Sequence, residues 1–145
     1  MNTTEIKREN HINLYNEKGE KHGLWEDYYS NGELHYRINY ANGKEHGVWE
    51  SYYRDGQLNY RGNYENGQKH GLWEGYFSDG QLSIRGNYVN GQKHGVWEDY
   101  YSNGGQLNYR KEYNMGKEVQ PITELTLDEI AEKFGVPVGQ LKIKK

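Results

Sequence analysis

The pentad His-Gly-[Leu/Val]-Trp-Glu occurs four times, beginning at His22, His46, His70 and His94, always 24 residues apart. Behind each copy stand Tyr-Tyr or Tyr-Phe, then Asn-Gly or Asp-Gly, then Leu-x-[Tyr/Ile]-Arg-x-[Asn/Glu]-Tyr. A fixed period of this size marks a stacked-repeat architecture, in which each unit buries its apolar face only against its neighbours. Such a stack presents a surface; it does not enclose a reaction.

Asn31-Gly32, Asn42-Gly43, Asp55-Gly56, Asn66-Gly67, Asp79-Gly80 and Asn90-Gly91 separate alternating segments rich in Tyr, Trp and β-branched residues. Asn and Gly tolerate the positive φ of tight hairpin turns, so these pairs predict hairpins. Strands are expected near 11–16, 23–29, 34–40, 47–53, 58–64, 71–77, 82–88, 95–101 and 107–113, joined as an antiparallel meander. Gly104-Gly105 adds one residue to the last such turn, to be absorbed as a bulge or longer loop. The fold class is therefore mainly β, an elongated twisted meander of repeated hairpins with a short helical tail. The domain boundaries fall at 1–10, 11–117 and 118–145.

Closing each hairpin symmetrically sets Tyr29 opposite Leu34 and Trp25 opposite Ile38, with Ile38 facing Trp49 on the next strand. One face then carries a row of Trp25, Ile38, Trp49, Gly62, Trp73, Gly86, Trp97 and Lys111. Beside it run Tyr29, Leu34, Tyr53, Leu58, Phe77, Leu82, Tyr101 and Leu107. A third row alternates Gly23, Gly47, Gly71 and Gly95 with Tyr40, Tyr64, Tyr88 and Tyr113. The opposite face carries Glu26, Arg37, Glu50, Arg61, Glu74, Arg85, Glu98 and Arg110 in alternation, flanked by Tyr28, Tyr52, Tyr76 and Tyr100.

Composition bears on whether such a sheet can hold together. A mean hydropathy of -1.22 and few aliphatic residues would ordinarily describe a disordered chain. Here 15 Tyr and 4 Trp supply the apolar surface instead, each ring burying roughly 150–250 Å². The net charge of -3 exerts no long-range pull on nucleic acid or anionic membranes, which disfavours both as partners. Without cysteine there is neither a disulfide framework nor a thiolate metal site. Met1 to Glu9 lack the apolar core of a signal peptide, and no apolar run approaches a membrane span. A cytoplasmic protein is expected.

The pattern His-Gly-x-Trp-Glu-x-Tyr-Tyr-x-x-Gly-x-Leu, closing on Tyr-x-Asn-Gly-x-x-His-Gly, resembles the MORN repeat in its bacterial variant form over about residues 12–117. The resemblance implies an elongated, twisted antiparallel sheet acting as an interaction or scaffolding module. Some family members have been linked to acidic phospholipids, and bacterial variant-repeat proteins are often labelled antitoxin-like. Here Trp-Glu follows His-Gly where a small Gly-x-Gly is more usual.

In the tail, Thr126 with Glu129 fits a capping box and Gly135 suits a helix end, with Leu127, Ile130, Ala131 and Phe134 on one helical face. The stretch from Thr126 to Leu141 resembles the first half of a LysM module and the helix pair of a helix-turn-helix. Each similarity spans only about 20 residues, so neither peptidoglycan nor DNA binding carries over. The helix is expected to cover the apolar face or the last strand.

Three chemical readings compete for the recurrent residues. The four histidines sit two strands apart, roughly 9–10 Å, too far for neighbours to share an ion; a turn role beside Gly is expected. Regularly alternating Glu and Arg on an open sheet lack the burial that tunes catalytic groups, so they read as a structural ladder. No nucleophile motif or phosphate-cradling glycine loop occurs, and neither catalysis nor a cofactor is expected. The best candidate site is the stripe of Tyr28, Tyr52, Tyr76 and Tyr100 beside Arg37, Arg61, Arg85 and Arg110, where guanidinium can pair with anions while rings stack. The expected function is binding of another protein, as an inhibitor or scaffold. Binding of a nucleotide or glycan is the alternative, and a homodimer joined through the apolar face remains open.

Overall fold

The computed structural model describes residues 12–120 and 126–140. Among them ten strands follow in chain order, each antiparallel to the next in a single sheet. They are β1 (Leu14–Tyr15), β2 (Lys21–Tyr28), β3 (Leu34–Ala41), β4 (Lys44–Tyr52), β5 (Leu58–Glu65), β6 (Gln68–Tyr76), β7 (Leu82–Val89), β8 (Gln92–Tyr100), β9 (Leu107–Asn114) and β10 (Lys117–Val119). The tail holds α1 (Leu127–Phe134) and a 3-10 turn over Val138–Gln140. The meander of repeated hairpins forms as expected.

The two kinds of turn differ, and the difference moves the strand boundaries. At Asn42-Gly43 both residues take positive φ, 51° and 75°, closing a two-residue turn directly onto the Ala41–Lys44 pair. Strand β4 thus starts at Lys44, ahead of the expected 47, and His46-Gly47 lies inside a strand; the turn role expected for the histidines is not what forms. Gly47 adopts a φ of 81° within β4, which few L side chains accept. The register passes from Ile38↔Trp49 to Tyr40↔Glu45, leaving Asn39 opposite three residues. The His-Gly signature therefore marks a mid-strand bulge. Tyr40, Tyr64 and Tyr88 consequently face Glu45, Lys69 and Lys93 across these hairpins, where Gly47, Gly71 and Gly95 were expected.

At the other turn Gly32 donates its N–H to the Tyr29 carbonyl at 2.9 Å, and Tyr29 N–H bonds the Glu33 carbonyl at 2.8 Å. This three-residue loop with a left-handed glycine puts Tyr28, not Tyr29, opposite Leu34, and His35 becomes the extra residue. Asn59, Ser83 and Asn108 repeat the same bulge. Tyr101 N–H reaches the Gln106 carbonyl, so the extra glycine is absorbed as a longer loop. A tenth strand escaped the sequence reading because its turn is Met115-Gly116, φ 46° and 82°, without the Asn-Gly signature. The sheet therefore runs past the expected boundary at 117 to Val119.

The core lies along one face. The tryptophan row is observed, and glycine is what makes it possible. A Cβ on Gly62 would stand 2.1 Å from the Trp73 indole, and one on Gly86 would stand 2.2 Å from Trp97. Each ring lies flat over the preceding strand and donates its indole N–H to Asn63 or Asn87 carbonyl oxygen at 3.1 Å. Tyr64 and Tyr88 meet Trp73 edge-on at 5.3 and 5.8 Å, and Tyr88 meets Trp97 at 5.0 Å. The Lys69 and Lys93 ammonium groups sit 4.1 and 4.2 Å above the two indoles. Trp73 and Trp97 are each only 5% exposed. This single-layer sheet thus hides its largest rings by local packing. Trp49 differs, because Ile38 fills the place that glycine holds elsewhere; its ring stacks on Trp73 at 5.4 Å instead.

At the first edge, the Asn13 side chain accepts from Glu26 N–H at 2.8 Å and donates to Glu26 carbonyl oxygen at 3.0 Å, completing the cover that β1 begins. In the tail, Thr126 forms the capping box with Glu129 and Gly135 ends α1 at a φ of 64°. Ala131 is buried, whereas Leu127 and Phe134 are exposed. The main contacts of α1 are with the 3-10 turn, and the tryptophans are covered by their own neighbours. Of the stretch from Thr126 to Leu141, Leu141 lies outside the described residues.

Candidate functional site

On the face opposite the tryptophans every expected charge pair is in register, from Glu26↔Arg37 to Glu98↔Arg110. The four tyrosines join them two residues along their own strands. Tyr52, Tyr76 and Tyr100 hydroxyls donate to Glu50, Glu74 and Glu98 at 2.9, 3.0 and 3.0 Å, and Tyr28 donates to Glu26. The predicted stripe is thus brought together on one face.

The ion pairs do not follow the period of the sequence. Glu50 receives Arg37 Nε at 2.6 Å and faces Arg61 Nε at 3.5 Å. Glu98 receives Arg85 Nε at 2.6 Å and faces Arg110 Nε at 3.9 Å. Among the described residues Glu26 and Glu74 have no arginine within salt-bridge distance. Each Nε–H points to one neighbour only, so four arginines converge on two carboxylates and the network repeats every second unit. Glu50 is the most enclosed, its side chain 10% exposed against 46% and 57% for its arginines.

These contacts set the ionisation of the face. Burial pushes the Glu50 carboxyl up, but hydrogen bonds from Arg37 and Tyr52, with the charges of Arg37 and Arg61, outweigh it and hold the group below the usual range. Hydrogen bonds from Arg85 and Tyr100 hold Glu98 low. Burial and then Glu50 raise the Tyr52 hydroxyl, and the Glu26 hydrogen bond raises that of Tyr28. Each shift moves a pKa further from neutral pH.

The other face holds residues that sequence reasoning passed over. Lys21, Lys69 and Lys93 lie against Trp25, Trp73 and Trp97, while Glu45 takes the equivalent place in the second unit. The signal was present: these residues immediately precede His-Gly at the same period. The histidines follow on successive bulges, and among the described residues no cluster of His, Asp and Glu is placed to hold a metal.

A meander of near-identical hairpins, closed locally over its own aromatic row, defines a β-repeat protein that offers two long faces. The chain is a MORN repeat protein: the MORN repeat variant matches residues 21–42, 45–66 and 69–90. The fourth copy, which carries the extra glycine, lies outside those segments. A solved chain described as "Crystal Structure of TarM" is similar at 15% identity and a TM-score of 0.41, over 68% of this chain and 19% of that one. This chain spans about a fifth of that protein's length, and a likeness so slight carries no argument about function. No curated protein matches. Among the described residues no helix is long and apolar enough to cross a membrane.

Proposed function

We propose that the chain is a non-enzymatic module that binds another protein through its Tyr–Glu–Arg face, in an inhibitory, antitoxin-type or scaffolding role in the cytoplasm. One observation carries the reading: a polar network recurs along the sheet with its guanidinium groups half in solvent and its carboxylates held beneath them. Tyr and Arg arranged on a rigid support are what interface hot spots are made of. The absence of catalysis is supported by ionisation, since general acid–base groups work best near the operating pH and these are driven from it. Affinity capture from the native host identifies the partner, and Tyr52→Ala with Arg61→Ala then tests the face. Loss of the complex with at most a modest fall in melting temperature is expected; full retained affinity rejects the proposal.

Sequestration of a nucleotide or glycan by the same stripe is favoured by one detail. Arg61 and Arg110, 57% and 62% exposed, stand 3.5 and 3.9 Å from their carboxylates and can turn to an anion without breaking a short ion pair. A thermal-shift panel of nucleotides and oligosaccharides separates the two readings, and a flat response removes the second. Light scattering that gives a monomer at high concentration removes a homodimer.

A further inference from the structure

The apolar face is not uniformly closed. Trp49 and Trp73 stack, but among the described residues no stack joins Trp73 to Trp97, each being seated on its own glycine. A cleft of about 290 Å³ lies between them, walled by Tyr60, Trp73, Tyr88 and Trp97 and carrying Lys69 and Lys93. Tyr88 meets both indoles edge-on, at 5.8 and 5.0 Å, and each indole is only 5% exposed. What the cleft offers a ligand is therefore the Tyr60 ring, 41% exposed, beside the two lysines.

The charge in this cleft is unbalanced. Among the described residues no carboxylate pairs with Lys69 or Lys93, in contrast to the arginines of the other face. Glu74 also lines the cleft, but its carboxylate is held on the opposite face by Tyr76. The Lys69 ammonium is held below its ordinary range by burial and then by the charge of Lys93. An arriving anion offsets the repulsion between the two ammonium groups. Along the same row Glu45 and Glu118 bracket the lysines, so the pair is local to the third and fourth units and not a general feature of the repeat.

We propose that this cleft binds a small ring-bearing anion, an acidic sugar or a nucleotide, whose carboxylate or phosphate is held by Lys69 and Lys93 over the Trp73 and Trp97 indoles while its ring lies against Tyr60. The proposal is independent of the protein-binding reading, which uses the other face.

Titrating the full chain with glucuronate, glucose 6-phosphate, AMP and inorganic phosphate tests it, followed by tryptophan fluorescence and by the indole N–H signals in heteronuclear NMR. Saturable shifts at Trp73 and Trp97 are expected from the ring-bearing anions, and the stronger responder shows whether the source is a sugar or a nucleotide. Neutral glucose and adenosine, and inorganic phosphate alone, should bind about tenfold or more weakly than their ring-bearing anionic counterparts, the effect of one lost charge-assisted contact. Lys69→Met with Lys93→Met keeps the stems over the indoles and should abolish the shifts, while Lys21→Met at the same position of the first unit leaves them intact. No saturation by any probe, equal binding of the neutral compounds, or shifts confined to Tyr52 and Arg61 would each overturn the site. The wild-type titration decides this even where the double variant folds poorly.

Discussion

The two faces of this sheet keep their cations in opposite company. On one, arginines converge on Glu50 and Glu98, with tyrosine hydroxyls completing the carboxylate shell. On the other, Lys69 and Lys93 lie over indoles and meet no carboxylate among the described residues, and only at the far end of the row does Lys111 pair with Glu118. The first arrangement spends its charge internally and leaves a patterned, nearly neutral relief. The second covers the core with groups still able to meet an anion. A repeat can therefore hold its shape with one set of cations and keep another in reserve.

The largest effect that would break this contrast lies in the aromatic row. Trp97→Ala should cost about 3–5 kcal/mol, and Gly86→Val should be comparably severe because its Cβ would fall 2.2 Å from the indole. Denaturant titration of both measures this, and a small loss for Gly86→Val would show that the ring is not fixed on the glycine. Next comes the pairing on the charged face. Glu50→Ala strands two guanidinium groups and should cost about 1–3 kcal/mol, whereas Glu74→Ala, with only Tyr76 to release, should cost about 1 kcal/mol or less. Equal losses would mean that the doubled period does not hold in solution.

Acid should separate the faces as well. Glu50 and Glu98 have folded pKa values below the ordinary 4.5, so their stabilisation is complete above that value. It is lost as the pH falls through the depressed folded values. Melting curves between neutral pH and acid should show this loss in the wild type and less of it in Glu50→Ala. The smallest effect concerns a missing link. Tyr29 and Tyr53 hydroxyls donate to the Tyr52 and Tyr76 carbonyls of the following units at 2.8 and 2.7 Å, and Phe77 interrupts the series. Phe77→Tyr should restore the bond to Tyr100 and add about 0.5–1.5 kcal/mol, read as a modest rise in melting temperature.

The period, the Asn-Gly pairs and the alternation made the meander, the tryptophan row and the Glu–Arg register legible without coordinates. The bulges were not, because pairing symmetrically about a turn assumes equal residues on both strands. Gly47 and His35 both violate that assumption, each by lengthening the strand that follows its turn. One whole row went unread although it shares the register of the Glu–Arg row, in which Tyr36, Tyr60, Ile84 and Tyr109 alternate with Ser51, Gly75 and Asp99. The residues of the candidate stripe do fall beside one another on one face. Which carboxylate each arginine chooses depends on side-chain rotamers that no spacing encodes.

Sheets assembled from like units invite another molecule to lie down beside the last one. At the amino-terminal side a lone amide, Asn13, occupies both main-chain groups of Glu26, so a newcomer finds nothing there to bond. The flank of this ribbon is thus blunted at Glu26 by one short side chain imitating a backbone.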